Sequence, residues 1–245
     1  MKINYKDIGL HKNYLYEVLA TTFLKVKDII IPNAASMGIR LIEDNIIKMT
    51  PYPNTTTYKN LKENGFASIN FVDNIHLYSL ASLKDPNSQI GLKEFPIEYY
   101  GYHEFINEKD IKGAFKELKD SDKIKFPYIK QAWAIAFCEN IEENQITQEN
   151  SLGKLRLSEF KLRIYALVKK RESFKLFNRA ENLILEILIL ATRLKLAKER
   201  KDQQLFDKIH NKIIDHIQII EKFTKNENVI KSLELISNFV KKLMV

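Results

Sequence analysis

Two stretches of this chain bring together residue types that could do chemistry. The first is Ile29-Ile30-Ile31-Pro32-Asn33-Ala34-Ala35-Ser36-Met37-Gly38-Ile39. A β-branched run reaches Pro32, which cannot donate to a sheet ladder and so marks an edge or a bulge. Asn33, Ala34, Ala35 and Ser36 are small or polar, and Met37 and Gly38 follow before the strand pattern resumes. Small side chains in mid-sheet let something flat lie against the backbone, whose N–H and C=O groups a ligand can then read. The same pattern suits a β-bulge that only turns a barrel corner. Pattern alone leaves both open.

The second stretch is Pro53-Asn54-Thr55-Thr56-Thr57-Tyr58-Lys59-Asn60-Leu61. It opens a short helix, and the first N–H groups of a helix lack partners within it. Three neighbouring hydroxyls and Lys59 at such a start could form a phosphate site. Ordinary capping by Thr55 or Thr56 explains one hydroxyl; three successive threonines exceed that need.

A third feature lies in the helix opened by Asn178. At roughly 100° per residue, Asn178, Asn182, Glu186 and Arg193 fall within an ~80° stripe, while residues 183–191 are otherwise apolar. A carboxylate and a guanidinium on a buried helix should be paired, because an isolated buried charge is costly. A polar network between helices or subunits satisfies that demand; so would Arg179 or Arg193 binding an anionic group. No other group reaches this level. His11, His76, His103, His210 and His216 show no metal-ligand spacing, and His210 and His216 lie on different faces of one helix. Cys138 follows the strand-like run Trp133–Phe137 and is expected to be a small buried hydrophobe. No Walker, Rossmann or G-x-S-x-G pattern occurs.

The elements that must position these residues change character along the chain. Up to about residue 175 the apolar runs are short and rich in Ile, Val, Tyr and Phe, which are strand signals. Expected strands are Tyr14–Leu24, Asp28–Ile31, Ile39–Ile42, Ile46–Met49, Phe66–Val72, Ala132–Cys138 and Phe160–Val168, with Glu43-Asp44-Asn45 as a hairpin turn. Short helices are expected from Thr55 or Thr56 to Asn64, stopped by Gly65, and over Ile75–Leu83. Asp110–Leu118 has some helical pattern, and Phe126-Pro127 suggests a break before the next strand. Beyond residue 176 the period becomes 3.6, predicting helices over Asn178–Lys198, Gln203–Phe223 and Asn228–Leu243. The expected class is therefore α+β: a β-rich domain over 1–175 and a helical domain over 176–245.

Composition bounds the function. The hydrophobic fraction is 45%, and with only 7 Gly and 6 Pro a disordered or collagen-like chain is excluded. A single cysteine excludes an intramolecular disulfide framework and Cys-rich zinc sites. The densest apolar run, Leu183–Ala191, contains Glu186 and falls short of the ~20 residues a bilayer needs. With no secretory-signal pattern at the N-terminus, a cytoplasmic protein without membrane association is expected. The net charge of +8 is unevenly placed. Of 39 Lys+Arg and 31 Asp+Glu, residues 1–150 hold 18 and 20 (net −2), leaving 21 and 11 (net +10) for residues 151–245. The clusters Lys169-Lys170-Arg171 and Lys195–Lys201 read first as solvated faces, since Glu199 and Asp202 interleave the second.

The segments NAASMGI and TTTYKNLKENGFASINFVD, at this spacing, resemble the FMN-binding split-barrel superfamily of flavin reductases. Phe177-Asn178-Arg179-Ala180-Glu181, Leu185-Glu186 and Ala191-Thr192-Arg193-Leu194 extend the match. Together they resemble the archaeal domain-of-unknown-function family number 447, which joins such a barrel to a C-terminal helical domain. The resemblance runs from Tyr16-Glu17 to the last helix. It implies FMN as cofactor, with the phosphate near Thr55, Thr56, Thr57 and Asn60 and the isoalloxazine along Asn33, Ala34, Ala35, Ser36, Met37 and Gly38. The family pattern carries a proline where this chain has Ser36, which adds a hydroxyl and a backbone N–H at the expected ring contact. A homodimer is implied as well. The resemblance supplies no reaction, substrate, electron donor or catalytic residue; if the protein is an enzyme, it is a flavin-dependent oxidoreductase. The rival expectation is a non-catalytic module whose basic helical domain grips nucleic acid or another polyanion.

Overall fold

Strands β1 (Leu15–Val26) and β2 (Ile29–Glu43) pair antiparallel without interruption from Leu15↔Arg40 to Val26↔Ile29 in the computed structural model. The structure describes residues 8–27, 29–85, 91–104, 125–150, 153–172, 179–223 and 227–244. The expected strands Asp28–Ile31 and Ile39–Ile42 are thus one strand that runs straight through Pro32, which pairs with Phe23. The proline is tolerated because, among the described residues, β2 has a single partner strand there. Strand β3 (Ile46–Met49) meets β2 only over Ile39–Glu43, and the one register shift of that pair falls between Leu41 and Glu43. The bulge therefore sits beyond the Asn33–Gly38 stretch and not in it.

Helix α1 (Thr56–Asn64) follows, capped by Thr55 and ended by Gly65 in the left-handed region at φ 72°. Glycine has no Cβ penalty there, so the helix stops where the sequence signal placed it. Strand β4 (Phe66–Phe71), the antiparallel pair β5 (Tyr100–Glu104) and β6 (Lys125–Ile129), and the long strands β7 (Ala134–Asn150) and β8 (Gly153–Lys169) complete the β structure of the described residues. The barrel closes in the order β1-β2-β3-β8-β7-β4. Its interior holds Val18, Ala20, Ile39, Leu41, Ile47, Met49, Ile69, Ala136, Cys138, Phe160 and Leu162, with Leu61 of α1 joining the same cluster. Cys138 is fully buried as expected, and burial pushes its thiol pKa up, which makes it unreactive.

Two expectations about strands are corrected. Phe126-Pro127 lies inside β6, paired with His103 and Tyr102, and Pro127 is accommodated because β6 belongs to a two-stranded sheet. Strands β7 and β8 extend far beyond Ala132–Cys138 and Phe160–Val168. Their outer halves are too polar to show apolar alternation. Cross-strand polar contacts hold them instead, among them Lys161–Glu142 at 2.9 Å and Gln145 donating to Ser158 at 2.7 Å. Asp110–Leu118 lies outside the described residues.

The chain divides into two compact units. Residues 1–72 and 97–173 make the barrel unit, and residues 73–96 join 174–245 in a helical unit. The latter contains α2 (Ile75–Ser82), α3 (Arg179–Glu199), α4 (Gln203–Phe223) and α5 (Glu227–Met244). Helix α3 packs against α2, α4 and α5. Ile184, Ile187, Ala191 and Leu194 of α3 are fully buried, as are Ile213, Ile220 and Ile236 from its neighbours. The expected buried stripe on α3 is corrected: Asn182 and Glu186 are exposed and Arg193 is half-buried. Enough apolar residues surround the helix to fill the side facing its three neighbours, so the polar positions occupy the fourth side. Asn178 and the side chain of Arg179 lie outside the described residues. No helix among the described residues is long and apolar enough to cross a membrane.

Candidate functional site

Strand alternation sorts the first stretch onto two faces. Met37 packs against the barrel core that Ile39 and Leu41 enter, so Asn33 and Ala35 share that face and Ala34, Ser36 and Gly38 take the other. Ala34 is buried, while Asn33, Ala35, Ser36, Met37 and Gly38 are half-buried. A Cβ at Gly38 would lie 3.0 Å from Cδ1 of the exposed Leu15 side chain, which is free to swing aside. Over residues 34–38, a run of backbone groups flanked mostly by small side chains has no strand partner among the described residues on the edge of β2 away from β1.

The second stretch behaves as a helix start with donors to spare. Thr55 is the N-cap: its Oγ1 accepts from Tyr58 N at 3.3 Å and donates to Tyr52 O at 2.8 Å. Lys59 N is satisfied by Thr55 O at 3.0 Å. Among the described residues nothing accepts from the N–H groups of Thr56 and Thr57. Thr56 is exposed, Thr57 is buried, and the exposed Lys59 makes no ion pair among the described residues. The Thr55 hydroxyl is therefore committed to the cap, whereas Thr56 and Thr57 have backbone donors available for an anion.

Side chains tie the two stretches together. Asn33 Nδ2 donates to Thr57 Oγ1 at 3.1 Å and lies 3.5 Å from Thr22 Oγ1. Asn60 Nδ2 donates to the same Thr22 oxygen at 3.2 Å. Thr22 and Thr57 are fully or almost fully buried, and Asn60 is 5% exposed. Both hydroxyls accept here, so each keeps a proton to donate. Thr22 carried no signal in the sequence beyond being polar within an apolar strand; its register partner Asn33 is what gives it a place.

The far end of α1 is held separately. Lys62 Nζ sits 2.6 Å from Glu143 Oε2 of β7. Hydrogen bonds from Lys62 and Ser158 hold the Glu143 carboxyl below its ordinary pKa, and the same bond raises that of Lys62. Among the described residues no group of His, Cys, Asp and Glu could hold a metal ion.

Two family models match the sequence in succession. Residues 16–166 match the protein of unknown function (DUF447) N-terminal domain, and residues 178–238 match its C-terminal DUF447 partner. The chain belongs to this family. The resemblance carried by NAASMGI, TTTYKNLKENGFASINFVD and the α3 motifs is borne out. A solved DUF447 structure, an FMN-bound protein from Methanosarcina mazei, is 18% identical over 96% of this chain and 100% of its own, with a TM-score of 0.65. At that similarity the shared property is the fold, a split barrel joined to a helical domain. Flavoredoxin from Methanosarcina acetivorans is 18% identical, covering 72% of this chain and 77% of its own, at a TM-score of 0.41. An FMN-binding protein from Thermus thermophilus is 14% identical, covering 66% and 75%, at a TM-score of 0.38. No curated protein matches the chain.

Proposed function

We propose that this DUF447 chain is an FMN-binding flavoprotein that works as a homodimer. The supporting observation is the link between the two stretches. Asn33 on the open strand bonds the hydroxyl of Thr57, whose backbone N–H, like that of Thr56, has no acceptor among the described residues. A phosphate monoester carries the negative charge that such a helix start favours. Thr56 and Thr57 would hold the phosphate, with Asn60 setting Thr22 behind them and Thr55 shaping the turn. Ala34, Ala35, Ser36, Met37 and Gly38 would lie along the isoalloxazine and read it mostly through backbone atoms. Ser36 offers an N–H that the family's proline lacks.

FMN, when bound, would supply the redox chemistry, and the protein would supply orientation and exclusion of water. Among the described residues no side chain stands out as an acid or base, so the reading stops at a flavin-dependent oxidoreductase of unassigned substrate. The polyanion-binding alternative gains nothing from the basic cluster at the end of α3. Lys195 pairs with Asp85 and Glu199, and Asp202 caps α4 by accepting from Leu205 N.

The test is the absorbance spectrum of the purified protein, followed by titration with FMN. A yellow protein, or micromolar-range uptake of added FMN, is expected. A colourless protein that takes up none overturns the reading.

A further inference from the structure

Pairing with β1 fixes which backbone groups of β2 turn inward and which turn away. In an antiparallel pair, residues alternate between exchanging both backbone bonds with the partner and pointing both groups to the other side. The phase is fixed at three points. Pro32, which has no N–H, stands opposite Phe23, and the Phe23 carbonyl accepts instead from Asn64 Nδ2, just ahead of β4. The Leu19 carbonyl, opposite Ser36, accepts from Asn70 Nδ2 of β4 at 2.8 Å. Leu41, whose other side faces β3, turns its carbonyl to Asn13 N, just ahead of β1, at 2.8 Å. The pairs Phe23↔Pro32, Thr21↔Ala34, Leu19↔Ser36 and Glu17↔Gly38 therefore turn their backbone groups away from each other. The N–H and C=O of Ala34, Ser36 and Gly38 point to the edge of β2 that has no strand partner among the described residues. Ser36 is the middle one, about 10 Å of extended strand from Asn33.

We propose that Ser36 pairs with the imide edge of the flavin through its own N–H and C=O, and that this N–H raises the flavin's reduction potential. The inference rests on the flavin reading above and adds the residue that sets the potential. A residue that turns both groups to one side offers a donor beside an acceptor, and a cyclic imide, with its N–H beside a C=O, complements that pair. Ala34 and Gly38, on the same face of the strand, carry little or no side chain to obstruct a ring there. Two-electron reduction places negative charge on the imide region of the ring. A donor held there bonds the reduced form more tightly than the oxidised one, because hydrogen bonds to charged acceptors are the stronger.

The experiment compares the wild type with Ser36→Pro and Ser36→Ala. Proline removes the N–H and keeps the C=O. It breaks no bond to β1, since that N–H points the other way, and Pro32 shows that β2 takes a proline at a position of this phase. Alanine removes only the hydroxyl. The readouts are the dissociation constants of oxidised and reduced FMN and the midpoint potential of the bound flavin. Ser36→Pro should weaken reduced FMN about tenfold more than oxidised FMN, lowering the potential by about 30 mV for two electrons. Ser36→Ala, which keeps the N–H, should retain the wild-type potential. An unmoved or raised potential in Ser36→Pro, or an equal drop in Ser36→Ala, overturns the assignment and leaves the flavin reading standing. A wild type that takes up no FMN overturns both. Should Ser36→Pro fail to fold, hydrogen exchange of the Ser36 amide in the wild type decides. It should be slowed by oxidised FMN and slowed further by reduced FMN, and unchanged exchange overturns the assignment.

Discussion

Asn33 Nδ2 donates to Thr57 Oγ1 at 3.1 Å across 24 positions of sequence, joining the open strand to the first turn of α1. If Thr57 serves the phosphate end, Thr57→Val should weaken FMN about tenfold, the worth of one hydrogen bond to a charged group. Riboflavin, which lacks the phosphate, should bind the variant as it binds the wild type, and Thr57→Ser should recover FMN. Equal losses for both flavins would place the phosphate elsewhere. The double change Thr56→Ala with Thr57→Ala should lose still more.

Asn70 joins the barrel to the two-stranded β5–β6 sheet. Its Nδ2 donates to Leu19 O, Thr21 Oγ1 and Ser68 O, and its Oδ1 accepts from Ile129 N at 2.8 Å. The residue is fully buried, so removing it leaves several buried groups without this partner. Asn70→Ala is expected to cost about 3 kcal/mol of stability, measured by denaturant unfolding. A loss under about 1 kcal/mol, the worth of a single bond, would mean that the network contributes little.

Within the helical unit, Lys195 Nζ lies 2.7 Å from Asp85 Oδ2, whose side chain is 4% exposed. Lys195→Met takes the ammonium from a buried carboxylate and should cost about 3 kcal/mol, while Asp85→Leu with Lys195→Met should recover much of it. The readout is thermal or denaturant unfolding of the wild type and both variants. Equal destabilisation by the single and the double change would show that the pair is not coupled.

His76 on α2 has a buried Nδ1 that makes no hydrogen bond among the described residues. Burial first, and the nearby Lys231 second, lower its pKa in the folded state. A base whose folded pKa is depressed is neutral in both states at high pH and binds its proton less readily when folded. Its contribution is therefore intact above the unfolded value and is lost as pH falls below about 6.5 toward the folded pKa. The melting temperature should drop between pH 7.5 and 5.5, and His76→Leu should show a smaller drop. An identical pH dependence in the variant would remove His76 as its source.

How much was legible in the sequence follows from the range of each signal. Thr55 as cap and Gly65 as stop bounded α1 because capping is settled within one turn. The 3.6 period of Leu205, Ile209 and Ile213 marked α4 because one face of that helix is buried. The outer halves of β7 and β8 were invisible, since their polar residues are held by partners on another strand. Likewise, Pro32 suggested an edge or a bulge, and only the register with β1 decided for the edge.

The sequence by itself determined the class, the family, and the two stretches where small and hydroxylated residues gather, because those properties reside in residue type and local spacing. Tertiary structure alone decided that Asn33 reaches Thr57, that Thr22 stands behind both, and that residues 73–96 belong with the helices. It also turned the polar stripe of α3 outward. Such relations depend on strand register and on which helix face meets a neighbour, and neither is encoded within a window of a few residues.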